Sequence, residues 1–287
     1  MIYAENKNDL SEIMEAIHNA GVPRETIDIG TEFLESGDIS LLKNISPKVI
    51  SQPMIKNNSW EFDRKFDNKV NHLKNPELFK RFVQFAYAVC GCGLWKIIGD
   101  VRYAHSDYNK ECRKICTDAV YAFTGISASA LLIAIDLDRI FNTNWASTPC
   151  YFYNTMCDKS ADVYLESAEL MKFNNRAKVL LCAMALNVSE SYDDTAKKCV
   201  DIIMQDIEES KNCHPSDAIY KIAIAECAYF DEKARGLFKV TMKLQPELLI
   251  EFAINNYFNI NRISKLIFDE NIEITVNYVY SAIMTHM

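Results

Sequence analysis

From Asn75 to near the C-terminus, apolar residues recur every three to four positions, and this rhythm constrains the fold more than any motif does. Only eight glycines and seven prolines occur in the 287 residues. Hairpin turns between many short strands need residues that tolerate positive φ, so this scarcity favours helices. The spacing predicts helices over 76–98, 107–123, 126–141, 159–171, 175–187, 192–210, 215–229, 232–245, 247–258 and 271–284. "IEITVNYVY" alternates as a strand would and is kept within the last helix. Most connections are short, as between antiparallel helix neighbours. The expected fold is all-α: antiparallel helix pairs stacked as an irregular α-solenoid.

Ahead of this body, residues 8–20 place Leu10, Ile13, Met14 and Ile17 on one helical stripe. Gly21 can close that helix, and Pro23 suits the first turn of a second one running to about Leu34. "SGD" at 36–38 breaks it, and a short apolar piece, "ISLLKNI", follows. Residues 46–60, "SPKVISQPMIKNNSW", contain Pro47 and Pro53 and no glycine, which reads as a linker. The expected organisation is an acidic three-helix element (1–45), this linker (46–60) and a helical-repeat-like body (61–287).

Apolar residues at 49% and charged residues at 24% exclude wholesale disorder. The net charge of −8 is segregated: residues 1–40 hold nine acids against Lys7 and Arg24, and residues 41–83 hold nine bases against four acids. An acidic chain without a basic stripe disfavours nucleic-acid backbones, and the two blocks are expected to face each other within the fold. No apolar stretch reaches 18 residues; "ISASALLIAI" ends at Asp136 and Asp138, so no membrane span is expected. The start, "MIYAENKNDLSEIMEAIH", is charged and helix-periodic rather than signal-like. All ten cysteines fall between 90 and 227, mostly in helix-like apolar segments. A reducing, cytoplasmic setting follows as the expectation.

Four of those cysteines pose a chemical question. Cys90, Cys92, Cys112 and Cys116 form C-x-C and C-x3-C pairs, loosely the spacing of a four-thiolate zinc site. Cys112 and Cys116 share a helical face, whereas Cys90 and Cys92 could both ligate only if Gly91 and Gly93 opened a loop. The competing pattern is an apolar stripe of Tyr108, Cys112, Ile115, Cys116, Ala119, Val120 and Phe123, which makes the thiols core residues. Cys213 and His214 are an adjacent thiol and imidazole just before a helix start, the candidate nucleophile and its base. "NCHPSD" equally reads as a capped helix start. Asp193 and Asp194 suit the first turn of a helix, where negative charge is favoured. Neither a Gly-rich phosphate loop nor HExxH, GxSxG or an EF-hand occurs, so no cofactor is expected and the balance leans away from an enzyme.

Three segments resemble known modules. Ala234, Phe238 and Pro246 in "ARGLFKVTMKLQP" resemble the second half of a tetratricopeptide repeat, while Ala218, Lys221, Ile222 and Ala225 depart from its first half. The resemblance implies stacked helix pairs of a degenerate tetratricopeptide or HEAT kind. "IMEAIHNAGVPRETI" resembles the turn of a DNA-binding helix-turn-helix, with Gly21, Val22 and Ile27 at the turn and in the second helix. Its second helix carries Glu25, Asp28, Glu32 and Glu35 against one arginine, which opposes DNA. "AGVPRETIDIGTEFLESGD" is similar to ubiquitin-associated domains, with Ala20-Gly21-Val22 in place of their Met-Gly-Phe triplet.

The function expected is a non-catalytic cytoplasmic interaction or regulatory protein that binds a protein or peptide through a helical surface. Trp145, Tyr151, Phe152 and Tyr153, in "NWASTPCYFYNTMC", are the candidate binding residues, because such side chains anchor interfaces. The alternatives are a helical enzyme using Cys213 and His214 or a metal, and a transcriptional regulator with an N-terminal DNA-reading element.

Overall fold

The computed structural model describes residues 7–47, 75–94, 97, 107–142, 159–172, 174–209, 217–242, 246–255 and 258–272. Among the described residues every regular element is helical and none is a strand. The chain forms two compact units, residues 1–139 and 140–287. Residues 48–60 of the expected linker lie outside the described residues.

The first unit holds α1 (Lys7–Asn19), α2 (Arg24–Ser36), a 3-10 turn (Ile39–Asn44), α3 (Pro76–Cys90), a second 3-10 turn (Gly91–Leu94), α4 (Asp107–Thr124) and most of α5 (Ala128–Asn142). The chain turns between α1 and α2 at Gly21, whose φ of 106° suits glycine. Pro23 stands one place before α2, in an extended conformation, rather than inside its first turn. Helix α3 opens on Asn75, whose Oδ1 accepts from Leu78 N at 3.2 Å, with Pro76 in the first turn. It ends at Cys90, well short of the expected residue 98, because Gly91 adopts φ 57° and ψ −132° and closes it. The apolar face of α3 (Phe79, Phe82, Val83, Phe85, Ala86, Val89) is fully buried. Helix α2 packs on α3 at Gly30, where an added Cβ would lie 2.4 Å from Phe85 Cε2. Close packing of this kind leaves no room for another methyl group. On its other side α3 packs on α4, where Gln84 Nε2 donates to Ala119 O at 3.0 Å. Arg81 brings part of the basic block to the acidic element: its Nη1 donates to Leu34 O (2.9 Å) and Glu35 O (3.4 Å) at the end of α2.

The second unit contains α6 (Ala161–Leu170), α7 (Asn175–Val188), α8 (Asp194–Glu209), α9 (Ala218–Phe230), α10 (Glu232–Met242), α11 (Pro246–Asn255) and α12 (Ile260–Asp269). Helix α9 is its hub and touches α7, α8, α10, α11 and α12. The sequence "AIYKIAIAECAYF" shows why: it has apolar residues on every face, and such a helix must be enclosed. All ten residues from Ile219 to Ala228 are buried, Lys221 and Glu226 among them. Each fully buried isoleucine there contributes about 1.5–3 kcal/mol. Lys221 is tolerated because its Nζ donates to Thr241 O, at 3.2 Å, in the last turn of α10. Starts are capped by sequence-local acceptors, with Asp193 Oδ1 taking Ala196 N (2.9 Å) and Asp231 Oδ1 taking Ala234 N (2.9 Å).

Helix α12 lies where the apolar rhythm predicts no helix, and residues 273–284 of the expected last helix lie outside the described residues. Among the described residues no single helix is long and apolar enough to cross a membrane.

Candidate functional site

The C-terminus of α7 needs partners for its last carbonyls, since no further turn supplies N–H donors. Helix α12 supplies them. Its cap residue, Asn259, accepts from Arg262 N through Oδ1 (3.3 Å) and donates its own N–H to Asn187 Oδ1 (2.7 Å). This sets the first turn of α12 against the end of α7. From there Arg262 Nη1 donates to Leu186 O (3.0 Å) and Asn187 O (3.3 Å), and Nη2 donates to Ser189 O (2.5 Å). A cation at a helix C-terminus also meets the negative end of the helix dipole.

The same guanidinium organises an aromatic cluster. Its Cζ lies 4.5 Å from the Tyr229 ring centroid and 5.5 Å from that of Phe230, within the range of cation–π attraction. Tyr229 and Phe230 meet edge to face at 5.0 Å, and Tyr192, from the α7–α8 connection, stacks on Phe230 at 5.8 Å. The cluster reaches the surface: Tyr192 is 39% exposed and Tyr229 36%. Burial, then the negative charges of Asp231 and Asp201, push the Tyr192 phenol above its ordinary value, with Lys197 opposing.

Beneath the cluster stands Glu226, 1% exposed, with neither carboxylate oxygen hydrogen-bonded. Arg262 Nη1, 3.9 Å away, is a countercharge too distant for a hydrogen bond. Burial pushes the Glu226 carboxyl up to about 8, and Arg262 only partly offsets this. Beside it, Cys182 of α7, Cys199 of α8 and Cys227 of α9 form a fully buried thiol group. A hydrogen bond with Cys199, then burial, raises Cys182; burial, then Glu226, raises Cys227. Enclosed thiols held above their ordinary value, as at Cys182 and Cys227, are poor nucleophiles.

The sequence candidates are distributed differently. Trp145, Tyr151, Phe152, Tyr153, Cys213 and His214 lie outside the described residues. Cys90, Cys92 and Cys116 are buried, and Cys112 belongs to α4 with its side chain outside the description. Gly91 does break the preceding helix, yet Cys92 turns inward rather than out. Among the described residues no group of three His, Cys, Asp or Glu side chains is placed to hold a metal ion. Asp193 caps α8, and Asp194 pairs with Lys197 at 3.2 Å.

Compared with protein-family models, curated proteins and solved structures, the chain matches none.

Proposed function

We propose that the protein is a non-catalytic interaction protein that engages a protein or peptide partner through the aromatic end of its second unit. The observation that carries this reading is the exposed pair of Tyr192 and Tyr229, backed by Phe230, with Arg262 against Tyr229 and Phe230. Aromatic and arginine side chains dominate binding hot spots, each worth about 2 kcal/mol or more when fully buried by a partner. Rings already fixed by stacking lose little freedom on binding. A reducing, cytoplasmic setting belongs to the same reading, supported by six buried free thiols among the described residues, Cys182, Cys199 and Cys227 included.

An irregular α-solenoid is the finer form of this architecture. Helix pairs joined by short links support it (α6–α7 and α9–α10), whereas α9, in touch with five other helices, departs from neighbour-only stacking.

A photo-crosslinking residue at position 192, with a control at the more exposed Val240, tests the proposal in the native host. Capture of one discrete partner from position 192 and not from 240 is the expected result. Equal labelling from both positions would overturn it.

A further inference from the structure

Of the features on the molecule, the surroundings of Tyr192 say most about what a partner must carry. Tyr192 is stacked on Phe230 by one face and exposed over much of the rest. Its neighbourhood is acidic. Glu190, Asp193 and Asp194 share its connection and the first residue of α8, and Glu190, Asp193, Asp194 and Asp201 are all exposed. Asp201 and Asp231 lie near enough to act on its phenol. Lys197, the opposing cation, is paired with Asp194, and Lys198 with Glu169. Among the described residues no salt bridge engages Glu190, Asp193, Asp201 or Asp231. Arg262 is not the cation of this field: its guanidinium lies against Tyr229 and Phe230 and is committed to three carbonyls at the end of α7, and among the described residues no ion pair joins it to Glu190, Asp193, Asp201 or Asp231. An open aromatic face inside a negative field favours a cation over any other side-chain type.

We infer that the partner presents a lysine or arginine side chain, seated on Tyr192 between the carboxylates of Glu190, Asp201 and Asp231. The inference rests on the interaction reading above and narrows it to a cationic peptide segment. Charge brings the segment in, so its binding weakens with added salt, while the ring supplies the local preference.

The test uses three fluorescein-labelled short peptides with the full chain: alternating Ala-Lys, alternating Ala-Ser and alternating Ala-Glu. Fluorescence polarisation at low salt is expected to show the lysine peptide binding about tenfold more tightly than the serine peptide, with the glutamate peptide weakest. Tyr192→Leu lowers lysine-peptide affinity about fivefold and Tyr192→Phe leaves it unchanged, because the phenylalanine ring keeps its face. Glu190→Gln with Asp201→Asn lowers it by a similar factor, both residues being exposed and without a capping role. Circular dichroism shows that each variant keeps its helices. Serine and lysine peptides binding equally, both sensitive to Tyr192→Leu, would overturn the cationic partner and leave the surface reading standing. Lysine-peptide binding indifferent to Tyr192→Leu would place the contact elsewhere and overturn the inference. Absence of binding by all three peptides would overturn both.

Discussion

Two arginines reach back to the end of an earlier helix, Arg81 in the first unit and Arg262 in the second. Arg81 gives its guanidinium to the carbonyls of Leu34 and Glu35 and pairs with Glu77, itself largely exposed, at 3.5 Å. Arg262 gives its own to Leu186, Asn187 and Ser189, with two aromatic rings against it and a buried carboxylate 3.9 Å away. The capping chemistry is the same. Both side chains are largely buried, and what differs is the company each guanidinium keeps: the first cap adds a local tie, whereas the second couples a helix end, an enclosed carboxyl and an exposed aromatic surface. A cap of this kind acquires a role beyond stability only when its surroundings give it one.

The comparison predicts unequal losses, and the largest is at Arg262. Arg262→Met removes three carbonyl partners and the countercharge of Glu226 together. With the Glu226 carboxyl raised to about 8, the pair is fully charged only above that pH, and there breaking it from one side costs about 3–5 kcal/mol, which urea denaturation near pH 9 would read directly. Adding Glu226→Gln to the same chain recovers part of that loss and leaves the uncapped helix end. A loss no larger than that of Arg81→Met would show the enclosed pair to be irrelevant and would break the contrast between the units.

The next effect follows from Glu226 alone. Its folded value, raised to about 8, stands above the ordinary 4.5, so the folded chain holds this proton more tightly than the unfolded one. The stabilisation is complete below pH 4.5 and is lost progressively as pH rises towards 8. At roughly 1.4 kcal/mol per pH unit, the loss on reaching neutral pH is on the order of 3 kcal/mol. Denaturation midpoints taken across this window should fall in the native chain and fall much less in Glu226→Gln. Parallel profiles for the two would mean that the carboxyl is not enclosed as described.

Helix content was legible in the sequence because scarce glycine and proline and a regular apolar spacing act locally. The all-round apolar character of "AIYKIAIAECAYF" also marks α9 as a central helix, so the burial of Lys221 and Glu226 follows from their own segment. Other elements resisted for physical reasons. The rhythm carries α3 to residue 98, yet Gly91 ends it at Cys90, a stop the two nearby glycines signal. The predicted helices leave out residues 259–270, where Asn259, Asn261 and Ser264 interrupt the apolar residues. The signal was nonetheless there: Asn259 as a cap, then Ile260, Ile263 and Ile267 on one buried stripe. The site itself was not legible. Arg262 meets carbonyls more than 70 positions earlier, and Tyr192 meets Phe230 across two helices. Contacts at that range are set by packing, which no local spacing encodes.

The smallest predicted effect sharpens the comparison from the other side. Arg81→Met should cost about 1 kcal/mol, since the carbonyl hydrogen bonds it removes net about that much, its ion pair is to the largely exposed Glu77, and no buried carboxylate is left behind. Beside this cap, Gly37 has φ 74°, and a Cβ added there would lie 2.7 Å from Arg81 Cζ. Gly37→Ala therefore suffers twice in the native chain: from backbone strain, about 1 kcal/mol, and from displacing the guanidinium. In an Arg81→Met background the second contribution shrinks, because a flexible thioether yields where a held guanidinium does not. The two substitutions should cost less together than the sum of their separate losses, a difference that a double-mutant cycle by urea denaturation resolves. Strict additivity would show that Arg81 is not held at the end of α2, and the likeness between the two caps would then fail at its simpler member.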